Sequence, residues 1–250
     1  MLNMVRADSY RFFRGRTFKL CLLFTFAWVI LCAFILKETI PMREAQTGAK
    51  INIDYLNSFW SYHPVMIPLL TFCCMEYITD FKQKTIKLYA AKGISRWSFY
   101  LSKILMGWLV ALIFVVAALV AGMVSNVVLW GGNLAAYADI HVIGLIFAQW
   151  LIHATAATYI ISIVFMMRGS TMCSVVNLLL LVYGYLILNK IELAMGQDGL
   201  ITRFWLYSNI GGIEMGNLMH MLPKLLLMFA GYFVVCGTIA GALFNKLDIE

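Results

Sequence analysis

The chain has 250 residues, 62% of them hydrophobic and 12% charged, with a net charge of +7; its mean hydropathy is +0.85 and its pI near 9.1. Soluble globular domains are only about half apolar, so the composition excludes a soluble domain and specifies an integral membrane protein. The apolar residues come in blocks near the twenty that cross a hydrocarbon core as a helix, a form that satisfies its own backbone groups in lipid.

In chain order, the first element is amphipathic. Leu2, Val5, Phe12 and Phe13 project to one side of a helix, with Asn3, Ala7, Arg11 and Arg14 on the other. That pattern predicts an interfacial helix over 1–17, lying in the inner membrane interface; a basic flank that only orients the first span is the alternative. Spans are then expected at 18–36, 59–78, 101–129, 140–167, 172–188 and 225–245, giving an all-α fold with six transmembrane helices in one permease-like domain, 1–250.

Basic residues mark the inner side. Arg6, Arg11, Arg14, Arg16 and Lys19 precede the first span, while Lys82, Lys84, Lys87, Lys92, Arg96 and Lys103 separate the second from the third. The bias of Lys and Arg toward cytoplasmic flanks places both termini inside. It also accounts for the basic balance without nucleic acid. The six cysteines lie in apolar blocks with no CxxC pair and read as small buried hydrophobes. The outer segment 189–224 is too apolar for an ordinary solvated loop; short helices dipping into the outer leaflet and a globular loop packed on the helix ends both fit it.

Chemistry-bearing motifs are scarce. No GxxxxGK[ST] phosphate loop, HExxH or GxSxG is present, so the chain is not expected to be an enzyme or to hydrolyse ATP. His63, His141, His153 and His220 have no companion ligands at metal spacing, and no metal site is expected. Glu76 sits one turn from Asp80, where interfacial or interhelical hydrogen bonding outweighs a proton relay. Gln149 and Asn177, near the middle of two spans, either line a path or bond between helices. Gly237 and Gly241 form a GxxxG, the spacing that brings helices close.

The stretch between the second and third spans is "DFKQKTIKLYAAKGISRWSFYLSK", Asp80–Lys103. It reads as helix, stop, helix: good helix formers from Lys84 to Ala91, Gly93 as a left-handed terminator, and Ser95 as the cap of the next helix. Lysines beside a membrane also attract anionic lipid at roughly 1 kcal/mol each with no further role.

In its order, this stretch resembles the permease subunits of type-2 ABC exporters, in particular the small six-span Firmicutes permeases of antimicrobial-peptide (lantibiotic or bacteriocin) immunity and export. The likeness rests on Asp80-Phe81, Thr85-Ile86-Lys87, Gly93-Ile94-Ser95-Arg96 and Tyr100-Leu101-Ser102-Lys103, with the opening "RADSYRFFRGRTFKL" similar to the family's basic lead-in. Lys84 departs from the pattern, which commonly has glycine there. The resemblance implies a cytoplasmic coupling helix in which Thr85, Ile86, Lys87, Leu88 and Tyr89 contact a separate ATPase, while Gly93, Ser95 and Arg96 set the elbow. It further implies two ATPase subunits carrying ATP and Mg, a second identical or homologous permease, a lipid environment in a bacterial cytoplasmic membrane, no cofactor on this chain, and export of an antimicrobial peptide. A drug or lipid is the alternative cargo. The competing classes are a non-transporting assembly or sensor subunit and a membrane-embedded enzyme using Glu76, His153 or the outer acids.

Overall fold

The computed structural model describes residues 2–47, 63–131, 140–196, 199, 201–210, 212–213 and 217–246. Among them the fold is all-helical. The helices are α1 (Leu2–Arg14), α2 (Arg16–Thr47), α3 (Met66–Lys82), α4 (Thr85–Ala91), α5 (Arg96–Trp130), α6 (Ile140–Met166), α7 (Met172–Ala194), α8 (Leu206–Ile210), α9 (Leu218–Tyr232) and α10 (Thr238–Lys246). A 3-10 turn, Thr202–Phe204, precedes α8, and a π-helical turn, Phe233–Gly237, joins α9 to α10.

The chain is an integral membrane protein. Four helical runs among the described residues are long and apolar enough to cross a bilayer: Arg16–Pro41, Arg96–Trp130, Val142–Met166 and Leu218–Lys246. A fifth follows if Met172–Leu181 and Tyr183–Ala194, bent by 44°, form one span. The expected span 59–78 begins outside the described residues; its helical part, α3, has 17 residues, at the short end of the roughly 17–25 that suffice. The expected span 225–245 lies within a longer run that the π turn interrupts.

α6 is the central element. It packs against α3, α5, α7, α8, α9 and α10, and its inward polar residues are tied up locally. Thr155, Thr158 and Ser162 each donate to the carbonyl four residues earlier, the back-bonding by which hydroxyls are accommodated in apolar helices. Three bonds then cross to α5: Trp108 Nε1 to Thr158 Oγ1 at 2.8 Å, Trp150 Nε1 to the Trp108 carbonyl at 2.9 Å, and the Tyr100 and Ser162 hydroxyls at 2.9 Å. Interhelical bonds of this kind hold the pair where lipid offers no hydrophobic drive between helices. α2 and the α9–α10 run are weakly enclosed, leaving Leu20, Leu23, Leu227 and Val235 exposed on their outer faces.

The chain breaks at Gly15, so the expected helix 1–17 ends at Arg14. Its inward stripe also differs from the projected one. Met4, Asp8 and Phe12, spaced one turn apart, are buried, whereas Phe13 is 37% exposed. An acid therefore occupies the middle of the buried face.

Candidate functional site

The Asp80–Lys103 stretch folds as a sharp elbow. Lys84 precedes α4 with φ +53, and Gly93 follows it with φ +75. The Gly93 and Ile94 amides close the helix end by donating to the Ala90 and Tyr89 carbonyls at 2.9 and 3.1 Å, a left-handed termination that suits glycine because it has no Cβ. Ser95 is extended, and its Oγ accepts from the Ser98 amide at 3.2 Å, capping α5. A lysine in the left-handed region costs about 1–2 kcal/mol. Lys84→Gly is expected to leave the fold unchanged and to raise stability by up to about 1 kcal/mol, read as a higher unfolding midpoint in detergent; a lower midpoint would mean that the Lys84 side chain holds the turn.

α4 has two faces. Ile86 is buried, and the Tyr89 ring stands 5.2 Å from that of Phe99 on α5. These two are anchors within the chain. Thr85 and Lys87 are half-buried, and Leu88 is 64% exposed, with Lys84, Ala91 and Lys92 also exposed around it. A large apolar side chain ringed by lysines is what α4 presents outward.

At the base of the elbow lies a cluster of four charges, three of them buried and the fourth, Arg11, half-exposed at its edge. Lys103, fully buried, bridges two carboxylates: Nζ is 2.8 Å from Asp8 Oδ2 and 2.9 Å from Asp80 Oδ2. Arg11 grips Asp80 with both terminal nitrogens, at 2.5 and 3.2 Å, and reaches Asp8 at 3.8 Å. Aromatic faces enclose the cations. Lys103 lies 4.8 Å from the Phe99 ring centre and Arg11 4.7 Å from that of Phe12, geometry that favours a desolvated cation. Burial alone would lower the Arg11 pKa, but the hydrogen bond and charge of Asp80, with Asp8 and Glu76 beyond it, raise it above its ordinary value.

This cluster corrects one reading of the sequence and refines another. Lys103, grouped with the cytoplasmic flanking charges, is wholly enclosed. Arg11, placed on the outward face of α1, turns inward to Asp80. The cluster is electrically balanced, two against two, which is the condition for burying charge. It joins α1, the end of α3 and the start of α5, so that the first and last residues of the elbow stretch, Asp80 and Lys103, meet directly.

Three further contacts carry the elbow into the rest of the chain. Arg96 Nη1 donates to the Asn245 carbonyl at 3.1 Å. Trp97 lies against Gly241, where a Cβ would overlap its ring. Phe81 packs on Gly169 in the α6–α7 turn, where a Cβ would stand 2.6 Å from Phe81 Cβ. Gly241 is thus a seat for Trp97 within the chain. Gly237, the last residue of the π turn, is buried on the same run one turn before Gly241, and a Cβ there would have Phe233 of its own helix at 3.8 Å.

The other candidates are dispersed. Glu76 is half-buried on α3, facing the α1–α2 break with Oε1 3.9 Å from where a Gly15 Cβ would stand. Gln149 donates to the Ile210 carbonyl at 3.1 Å, joining α6 to α8. Asn177 on α7 donates to the Ile160 carbonyl at 3.4 Å and to Cys74 Sγ at 3.7 Å. Both amides bond between elements. Among the described residues no group of three or more His, Cys, Asp or Glu side chains converges on a point.

Sequence reading missed Glu192. It is buried at the end of α7 and receives the Thr202 amide at 2.9 Å and hydroxyl at 2.6 Å, together with the Ile201 amide. Trp205 Nε1 donates to the Leu181 carbonyl at 3.1 Å. These bonds hold the 3-10 turn and the residue that leads into α8 against α7.

The family model described as a protein of unknown function, DUF2705, matches residues 12–250, and the chain belongs to that family. Among curated proteins, none matches it.

Proposed function

We propose that this DUF2705 member is the membrane subunit of an ATP-driven ABC exporter. The observation that supports it best is the elbow: a short helix between two left-handed turns, apolar at its tip through Leu88, anchored inward by Ile86 and Tyr89, and closed at its base by Lys103 and Asp80. A part built this way transmits displacement, because its anchors leave it little freedom to bend independently.

In this reading the spans number six, with α3 and the bent α7 each crossing once and both termini cytoplasmic in a bacterial plasma membrane. Leu88, Lys87 and the exposed lysines meet a separate ATPase that carries ATP and Mg, two copies serving two permeases. ATPase closure pushes on α4, and the shared ion cluster makes α1, α3 and α5 respond together. Packed elements of this kind convert a small local shift into a movement between discrete arrangements. The cargo is a hydrophobic or amphipathic molecule, with an antimicrobial peptide as the first candidate and a drug or lipid as the second.

Purification of the full chain from native membranes tests the assignment. A nucleotide-hydrolysing protein is expected to co-purify, and Leu88→Glu is expected to weaken its retention about tenfold or more, the effect of losing an apolar anchor at the centre of an interface. A partner without nucleotide activity would instead favour the assembly or sensor class. Retention unchanged by Leu88→Glu would reject α4 as the contact. The cargo is tested separately: loss of the protein should increase sensitivity to membrane-active peptides, and a change confined to a drug or lipid would replace the peptide reading.

A further inference from the structure

Far from the elbow, two clefts share a wall. Arg96 meets Asn245 at one end of the run Leu218–Lys246, and Lys224 lies near the other. A cleft of about 430 Å³ there is bounded by Arg203, Phe204, Pro223, Lys224 and Leu227. A second, of about 280 Å³, continues from Phe204 and Leu227 along α9 into the π turn, past Met228, Tyr232 and Val235. The combined groove therefore has a doubly cationic mouth and an apolar length.

The mouth is constructed by several bonds. Lys224 Nζ donates to Asn209 Oδ1 at 2.5 Å, and Asn209 Nδ2 donates to the Arg203 and Trp205 carbonyls at 3.0 and 2.6 Å. One amide thus ties together the backbone carrying the first cation and the side chain of the second. The Arg203 guanidinium lies 4.8 Å from the Phe204 ring centre, and the Tyr232 hydroxyl donates to the Phe204 carbonyl at 3.4 Å. Among the described residues no carboxylate forms an ion pair with either cation. Two like charges near the end of a membrane helix favour an anion between them.

We propose that this groove binds one anionic phospholipid from the leaflet opposite the elbow, with its phosphate at Arg203 and Lys224 and an acyl chain along α9. The charge selects this occupant. A second copy of a chain with net charge +7 offers poorer complementarity, and a neutral lipid leaves both cations uncompensated. The site stands independently of the transport reading. Gly231 gives it a clean probe, because it lines the groove and a Cβ there meets nothing within 4 Å.

Native mass spectrometry of the full chain in detergent, titrated with phosphatidylglycerol or phosphatidylcholine of matched acyl chains, tests the proposal. One saturable phosphatidylglycerol is expected, with a preference over phosphatidylcholine of about fivefold for each cation. Arg203→Gln with Lys224→Gln should abolish the preference, and Gly231→Phe should weaken phosphatidylglycerol binding about tenfold with an unchanged unfolding midpoint. Glycerol 3-phosphate alone should not compete at equal concentration. Equal retention of both lipids by the native chain overturns the proposal. So does undiminished phosphatidylglycerol binding in a folded Gly231→Phe chain, effective competition by glycerol 3-phosphate, or a dimer without bound lipid that Gly231→Phe dissociates. Should Gly231→Phe fail to fold, the loss or retention of headgroup preference in the double glutamine chain decides.

Discussion

Replacing Lys103 by Met is expected to destabilise the protein by about 3–5 kcal/mol, the cost of stranding a buried charge by removing its partner. Lys103 is the shared cation of Asp8 and Asp80, at 2.8 and 2.9 Å. Without it Arg11 alone must balance two enclosed carboxylates, and its better geometry is already committed to Asp80. The loss should therefore be partly recovered by removing an acid. Lys103→Met with Asp8→Asn leaves the Arg11–Asp80 pair intact and should regain more than half of the deficit, a coupling characteristic of groups in one network. Lys92→Met, at an exposed position of the same stretch, should change stability by no more than about 0.5 kcal/mol. Thermal unfolding of the three chains in one detergent provides the comparison. If Lys103→Met resembled Lys92→Met, the cluster would have no energetic role.

The same cluster gives the elbow its mechanical definition. Compared with a well-packed apolar substitute, buried ion pairs often add little net stability, but they fix which groups meet. Here they fix α1 to the base of the elbow, while Trp97 on Gly241 and Arg96 on the Asn245 carbonyl fix its far limb to α10. A force on Leu88 would therefore meet two separate parts of the membrane domain, α1 and α10, rather than a hanging loop.

How much of this was legible depends on whether the signal is local. Gly93 and Ser95 announce a helix end and a helix start within three residues, and the structure has φ +75 at the one and a capping bond at the other. The apolar blocks likewise announce membrane helices through their length. The ion cluster has no local sign. Asp8 and Lys103 are 95 positions apart, and a projection that follows apolar residues finds Phe12 of the buried stripe but passes over Met4 and Asp8. Lys103, one basic residue among several, read as topology because charge counts carry no depth. The π turn at Phe233–Gly237 has no local sign either: it alters the face that each later residue presents relative to α9.

Gly169→Ala is expected to produce the second large effect, about 2–5 kcal/mol, from two additive causes. Its φ of +67 lies in the left-handed region, where an added Cβ costs about 1–2 kcal/mol. The new Cβ would also stand 2.6 Å from Phe81 Cβ, an atom that no rotamer change can move, so backbone must shift; overpacking of this sort costs about 1–3 kcal/mol. Gly196 separates the two causes. It has the same φ of +67 with nothing within 4 Å of a Cβ, so Gly196→Ala should lose the conformational part alone. The difference between the two chains measures the contact by which the α6–α7 turn supports the base of the elbow. Its consequence extends beyond stability: displacing Phe81 shifts the residue next to Asp80, and protease cleavage within the elbow should increase in the Gly169→Ala chain but not in Gly196→Ala. Equal losses in both, with the elbow equally protected, would show that Phe81 yields without cost and that this turn does not brace it.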